Sequence, residues 1–281
     1  MSLSGKTIFI SGASRGIGLA IALRAAQDGA NVALIAKTAE PHPKLEGTVY
    51  TAAEQIEAAG GRALPIVGDV RDEQQVAIAV AQAVERFGGI DVCVNNASAI
   101  NLSRTEALDM KRYDLMQDIN VRGTFVVSRA CIPHLREAPN PHILTLSPPI
   151  SLDPRWLGPH LGYTLAKYGM SLVALGLAAE LREDGIASNA LWPRTLVATA
   201  AVQNLLGGDE AMARARKPEV YADAAYAILT RPARDCTGNA FLCEDVLAEE
   251  GVTDLSAYSY VPGAELAVDL FVDAANPPGS A

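Results

Sequence analysis

Short apolar runs alternate along the chain with longer stretches whose hydrophobic positions recur at helical spacing. Residues 7–11, 31–36, 63–67, 91–95, 142–146, 187–192 and 240–243 read as strands, and several of these runs are apolar throughout. A strand with one wet face alternates, so a continuous run implies cover on both faces. Helical spacing marks 17–28, 51–59, 73–87, about 113–136 and about 162–182. Gly29 and the pair Gly60-Gly61 follow two of these stretches, where a left-handed residue closes a last turn. Strand and helix in regular succession predict an α/β fold, a doubly wound parallel sheet with right-handed crossovers. Neither an internal repeat nor a linker divides the chain, so 1–281 is expected to form a single domain. Within it, 37–48 reads as a long loop, about 244–275 as a C-terminal extension and 276–281 as a flexible tail.

Composition narrows the partners. With 23 Lys and Arg against 32 Asp and Glu, the formal net charge is −9. Nucleic acid is therefore not expected as a partner, since phosphate backbones need a basic surface. The four cysteines, Cys93, Cys131, Cys236 and Cys243, form no CxxC pair. Neither a structural metal nor a disulfide scaffold is expected. No charged leader precedes an apolar core, no Ser-Lys-Leu-type address ends the chain, and no apolar stretch has membrane-spanning length. A cytoplasmic, reducing setting is the expectation.

The first chemistry-bearing segment follows the first strand directly: Ser11-Gly12-Ala13-Ser14-Arg15-Gly16-Ile17-Gly18. Glycines let the backbone approach a pyrophosphate, and the free N–H groups at the start of the helix face the anion. Gly12, Ser14, Arg15, Gly16, Ile17 and Gly18 are thus candidate cofactor contacts. The second strand ends Leu34-Ile35-Ala36-Lys37, without the acid that usually binds the ribose hydroxyl of NAD. Lys37 and Arg15 together favour the 2′-phosphate of NADP(H). Asp69 meets the adenine or caps the helix that follows it.

Tyr163 and Lys167 lie four apart in a helical stretch, hence on one face. A tyrosine at its ordinary pKa of about 10 exchanges protons poorly near neutrality, and a cation one turn away stabilises its phenolate. The pair reads as a proton donor and acceptor for a carbonyl or alcohol oxygen.

Together with Asn95-Asn96-Ala97 and Asn120, these segments resemble the short-chain dehydrogenase/reductase family from about residue 4 to residue 244. The resemblance implies a Rossmann fold, a homodimer or homotetramer, and a small-molecule carbonyl or alcohol as substrate. It assigns Lys167 also to the nicotinamide ribose, Asn120 to a kinked helix that holds a water, and Asn96 and Pro193 to the cofactor. Residues 36–44, 147–149, 190–193 and 237–239 point to a narrower branch of that family. One departure concerns the serine that orients the substrate oxygen: Pro148 occupies its usual place. Ser147 swings into the role, or Ser151 is carried inward by the Pro148-Pro149 turn, or the site runs without a serine. Residues 192–207 resemble the family's substrate lid, with Arg194 a contact for an acidic substrate or a solvated surface residue. The apolar surroundings suggest a lipid-like substrate. The alternative to an enzyme is an NADP(H)-binding protein of low turnover. An enoyl reductase would carry its lysine seven residues after the tyrosine, where Met170 stands.

Overall fold

The computed structural model describes residues 1–42 and 45–273. In chain order its elements begin β1 (Thr7–Ser11), α1 (Gly16–Ala26), β2 (Asn31–Ala36), α2 (Val49–Ala58), β3 (Arg62–Val67) and α3 (Glu73–Phe87). There follow β4 (Val92–Asn95), α4 (Met110–Met116), a π-helical turn at Gln117–Arg122, α5 (Gly123–Leu135) and β5 (His142–Thr145). The rest of the chain holds α6 (Pro154–Leu157), α7 (Leu161–Glu180), β6 (Ala187–Trp192), α8 (Ala200–Leu205), α9 (Gly208–Ala213), α10 (Glu219–Leu229), β7 (Ala240–Leu242) and α11 (Cys243–Glu249). The strands pair in parallel in the order β3-β2-β1-β4-β5-β6-β7.

Strand alternation sorts the apolar side chains into two cores. Ile8, Ile10, Val32, Leu34, Val94 and Leu144 join the core built with α1, α2, α10 and α11. Their neighbours Phe9, Ala33, Ile35, Cys93 and Ile143 face the other way, against α3, α5 and α7. Because successive residues point to opposite faces, a run apolar at every position feeds both layers at once. That is why the strands lack polar alternation.

Local signals set the ends of the elements. Thr48 and Thr51 form a reciprocal cap at the start of α2. Asp72, not Asp69, caps α3 by accepting from the N–H groups of Gln74 and Gln75. Residues 113–136, expected as one helix, are broken into α4, the π turn and α5. Five further helices were not anticipated, of which α10 is the best buried; Val220, Tyr221, Ala224, Ala225 and Ile228 face its core at helical spacing. The proposed tail at 276–281 and part of the loop at 37–48 lie outside the described residues.

All four cysteines are buried thiols. Among the described residues no group of three or more His, Cys, Asp or Glu side chains is set to hold a metal ion. No described helix is long and apolar enough to cross a membrane.

Leu144 is fully buried at the middle of the sheet. Leu144→Ala is expected to cost roughly 2–5 kcal/mol of folding free energy, read from the midpoint of urea unfolding. A loss below about 1 kcal/mol would contradict the packing described.

Candidate active site

Strand order reverses between β1 and β4, and a crevice opens there at the carboxyl ends of the strands. The cavity, about 870 Å³, runs from the turn after β1 to Tyr163 and Lys167 on α7. Ser11 holds the two central strands together at this point. Its hydroxyl accepts from the N–H groups of Asn96 and Ala97, each at 3.2 Å.

The glycine turn is shaped by close approach. Gly12 has φ +71°, and a Cβ there would sit 2.9 Å from Ala97 Cα. A Cβ on Gly18 would meet Asn96 Nδ2 at 2.5 Å. Asn96 spends that amide on the carbonyls of Ser11 and Gly12, at 2.9 and 2.8 Å. Gly12, Ser14, Gly16 and Ile17 line the cavity, whereas Gly18 lies behind it and lets Asn96 brace the turn. The first residues of α1 carry no side-chain cap, so their N–H groups are left for a ligand.

Both basic residues reach the cavity, and each already has protein partners. Arg15 donates from Nε to Glu46 O and from Nη2 to Gly47 O, both at 2.7 Å, tying the turn to the loop before α2. Lys37, with 60% of its side chain exposed, pairs with Asp69 at 3.2 Å. Hydrogen bonds from Arg71, before the nearby Lys37, hold the Asp69 carboxyl well below the usual carboxylate range. Pro193 also lines the cavity.

At the other end stand Tyr163 and Lys167, one helical turn apart on α7. Lys167 Nζ donates to Leu146 O at 2.9 Å and lies 5.0 Å from the centre of the Trp192 ring. Burial lowers Lys167 to about 7, with the charge of Asp269 opposing the fall. Burial first, then Asp269, pushes the Tyr163 hydroxyl well above its ordinary range. So without ligand, desolvation outweighs the expected lowering by Lys167. Among the described residues Tyr163 makes no hydrogen bond through its hydroxyl.

The remaining candidates stand outside the cavity lining. Asn120, fully buried in the π turn, exchanges two hydrogen bonds with the backbone of Ala99 and so fixes the loop after β4. Asn95 donates to Ser128 and Thr145 inside the core. Ser147 is completely buried, and its hydroxyl has no hydrogen-bond partner. Ser151 is engaged locally, accepting at its hydroxyl from Asp153 N–H and at its carbonyl from the Tyr168 hydroxyl. Arg194 fits neither expectation; its guanidinium is bound to both carboxylate oxygens of Asp245. Sequence reasoning passed over Asp269 and Leu270, which line the cavity from a segment without strand or helix periodicity.

This arrangement is that of the short-chain dehydrogenases, and the family's model matches residues 6–208. The chain belongs to the short-chain dehydrogenase/reductase family of oxidoreductases. It is 59% identical to Hydroxysteroid dehydrogenase-like protein 2 of Danio rerio and 54% identical to that of Homo sapiens, in each case over 96% of its own length. It spans 65% and 64% of those two relatives. A solved short chain dehydrogenase from Mycobacterium thermoresistibile is 71% identical and superimposes with a TM-score of 0.94 over 99% of both chains. A Serratia marcescens short-chain dehydrogenase/reductase variant, 28% identical, keeps a TM-score of 0.70 over 86% of this chain and 97% of its own.

The two buried ionisable groups give opposite pH slopes. Lys167 falls from 10.5 to about 7, so between those values the unfolded chain holds the proton and the folded one does not. Stability from this group rises with pH across that window. Asp269 rises from 3.8 to about 7, so its contribution falls as pH climbs through that range. In Lys167→Met the rise above neutrality is expected to disappear from thermal-unfolding midpoints of the ligand-free protein. A variant curve parallel to the wild type there would refute the assignment.

Proposed function

We propose that the chain is an NADP(H)-dependent oxidoreductase that interconverts a carbonyl and an alcohol on an apolar, lipid-like substrate. The observation that carries this reading is one continuous cavity with a glycine turn at one end and the Tyr163–Lys167 pair at the other. When bound, a nicotinamide cofactor supplies or accepts the hydride. Tyr163 gives its proton to the substrate oxygen, or takes it back in the reverse direction. Because burial makes the phenolate costly, the Lys167 ammonium has to supply the compensating charge, and the dry setting strengthens that attraction.

A pyrophosphate is supported by the uncapped start of α1, where Gly16 and Ile17 line the cavity. Arg15, Lys37 and the absence of an acid at the tip of β2 support NADP(H) over NAD. Ala99, Ile100, Leu196 and Leu205 support an apolar substrate. Leu161, Leu165 and Leu172 on α7 are 37%, 48% and 62% exposed, which supports a homodimer or homotetramer that covers them.

A second reading, an NADP(H)-binding protein of low turnover, draws on Ser147, whose hydroxyl is buried away from the cavity. One experiment separates the two. NADPH oxidation over a panel of apolar carbonyls should show turnover that Tyr163→Phe reduces by about 10²–10⁴-fold, with NADPH binding retained. Absence of turnover over the whole panel, or turnover indifferent to Tyr163→Phe, would sink the enzymatic reading. Replacing Lys37 and Arg15 by Ala should weaken NADPH binding by at least about tenfold, the effect of losing a few charge-assisted contacts, and leave NADH binding little changed. Equal losses for both cofactors would count against NADP(H).

A further inference from the structure

After α11 the chain returns across the catalytic end of the molecule. Its backbone at 267–269 runs antiparallel to 194–196: Leu196 N–H donates to Ala267 O and Asp269 N–H to Arg194 O, both at 2.9 Å, with Thr195 opposite Val268. In such a ribbon successive side chains face opposite ways. Val268 is exposed, and Asp269 turns into the cavity that holds Tyr163 and Lys167.

The segment is held there by three independent anchors. Trp192 Nε1 donates to Leu270 O at 2.8 Å. The buried ring of Phe271 sits among Trp156, His160, Tyr163, Tyr168 and Trp192, at centroid distances of 5.3–6.2 Å. Asp273 pairs with Arg155 at 2.6 Å. Phe271 has φ +69°, a left-handed conformation that an aromatic residue keeps only where its surroundings over-determine it. The placement of Asp269 is therefore built, not incidental.

We infer that Asp269 is a positioning residue of the catalytic pair: it lines the same cavity as Lys167 and Tyr163, and its carboxylate favours the ammonium form of the lysine that proton transfer at Tyr163 requires. This rests on the reading of Tyr163 and Lys167 proposed above.

The physical case begins with Lys167. Its direct acceptors are neutral, the Leu146 carbonyl and Met170 Sδ, and a buried ammonium with only neutral partners sheds its proton. The groups around Asp269 leave Lys167 as its cation. Glu244 also faces it and is itself bound to Arg194 N–H and placed beside Arg216. Tyr163, Tyr221 and Cys243 face it as neutral groups. The Arg194 guanidinium is turned away to Asp245. The Asp269 carboxylate accepts from Leu270 N–H at 2.7 Å and has Lys167 as its counter-charge, and burial has brought both ionisable groups to about 7.

Carbon-13 NMR titration of Lys167 Cε in the ligand-free protein tests this without turnover. The wild-type midpoint is expected near 7, lower by about one unit in Asp269→Asn, and restored in Asp269→Glu. The alkaline limb of kcat should move toward acid in Asp269→Asn by the same amount and return in Asp269→Glu. An unchanged Lys167 midpoint in Asp269→Asn overturns the proposal. Should that variant fail to fold, the wild-type Asp269 carboxyl carbon decides. Coupled titration, with the Asp269 curve inflected where Lys167 titrates, supports the pairing, and two curves that do not disturb each other overturn it. Turnover indifferent to Tyr163→Phe would defeat the catalytic reading and leave the titration result standing, so the two failures are distinguishable.

Discussion

A cation buried inside a protein is the constraint around which this site is arranged. Lys167 stands on a helix whose neighbours are largely apolar, and an ammonium there costs several kcal/mol of lost hydration unless it is compensated. Compensation comes from three separate parts of the chain: the carbonyl that ends β5, the indole face of Trp192 at the end of β6, and the carboxylate of Asp269. Each depends on the sheet being complete, because β5 and β6 must pair before Leu146 and Trp192 lie beside α7. The parallel sheet fixes the places from which the Leu146 carbonyl and the Trp192 ring meet the lysine.

The opposite end of the cavity obeys a different rule, steric rather than electrostatic. Gly12 and Gly18 leave room for the Asn96 amide, and that amide then satisfies two carbonyls of the turn. Ser11 binds the same two strands from below. These bonds brace the turn, and the N–H groups at the start of α1 carry no side-chain cap. The basic residues are held less tightly. Arg15 is engaged with loop carbonyls and Lys37 with Asp69, so a phosphate has to compete with partners the protein provides.

How much of this could be read from the sequence follows from how local each feature is. A strand such as Asn31–Ala36 was legible to the residue, because burial on both faces leaves the continuous apolar run at 32–36. The pair on α7 and the glycine turn were legible because their spacing is itself the geometry. The break at Gln117–Arg122 was not, since a π turn leaves no mark on hydrophobic spacing; only Asn120, a poor helix former, hinted at it. Helix α10 carried a legible pattern that was overlooked. Asp269 had no such signal. Its position depends on a ribbon formed with residues more than seventy places earlier, and no local periodicity encodes that pairing.

The same ribbon sets an order on the protein's maturation. The seven strands end at Leu242 and α11, which completes the first core, ends at Glu249, so the sheet and both of its cores can assemble once α11 has been synthesised. The segment bearing Asp269 and Phe271 emerges from the ribosome later and must dock onto a surface already formed. During that interval the nascent chain has a folded framework and a glycine turn, but Tyr163 lacks its aromatic cover and Lys167 lacks its counter-charge. Structural maturity and chemical competence are thus separated in time, and the second depends on the last stretch of the described chain.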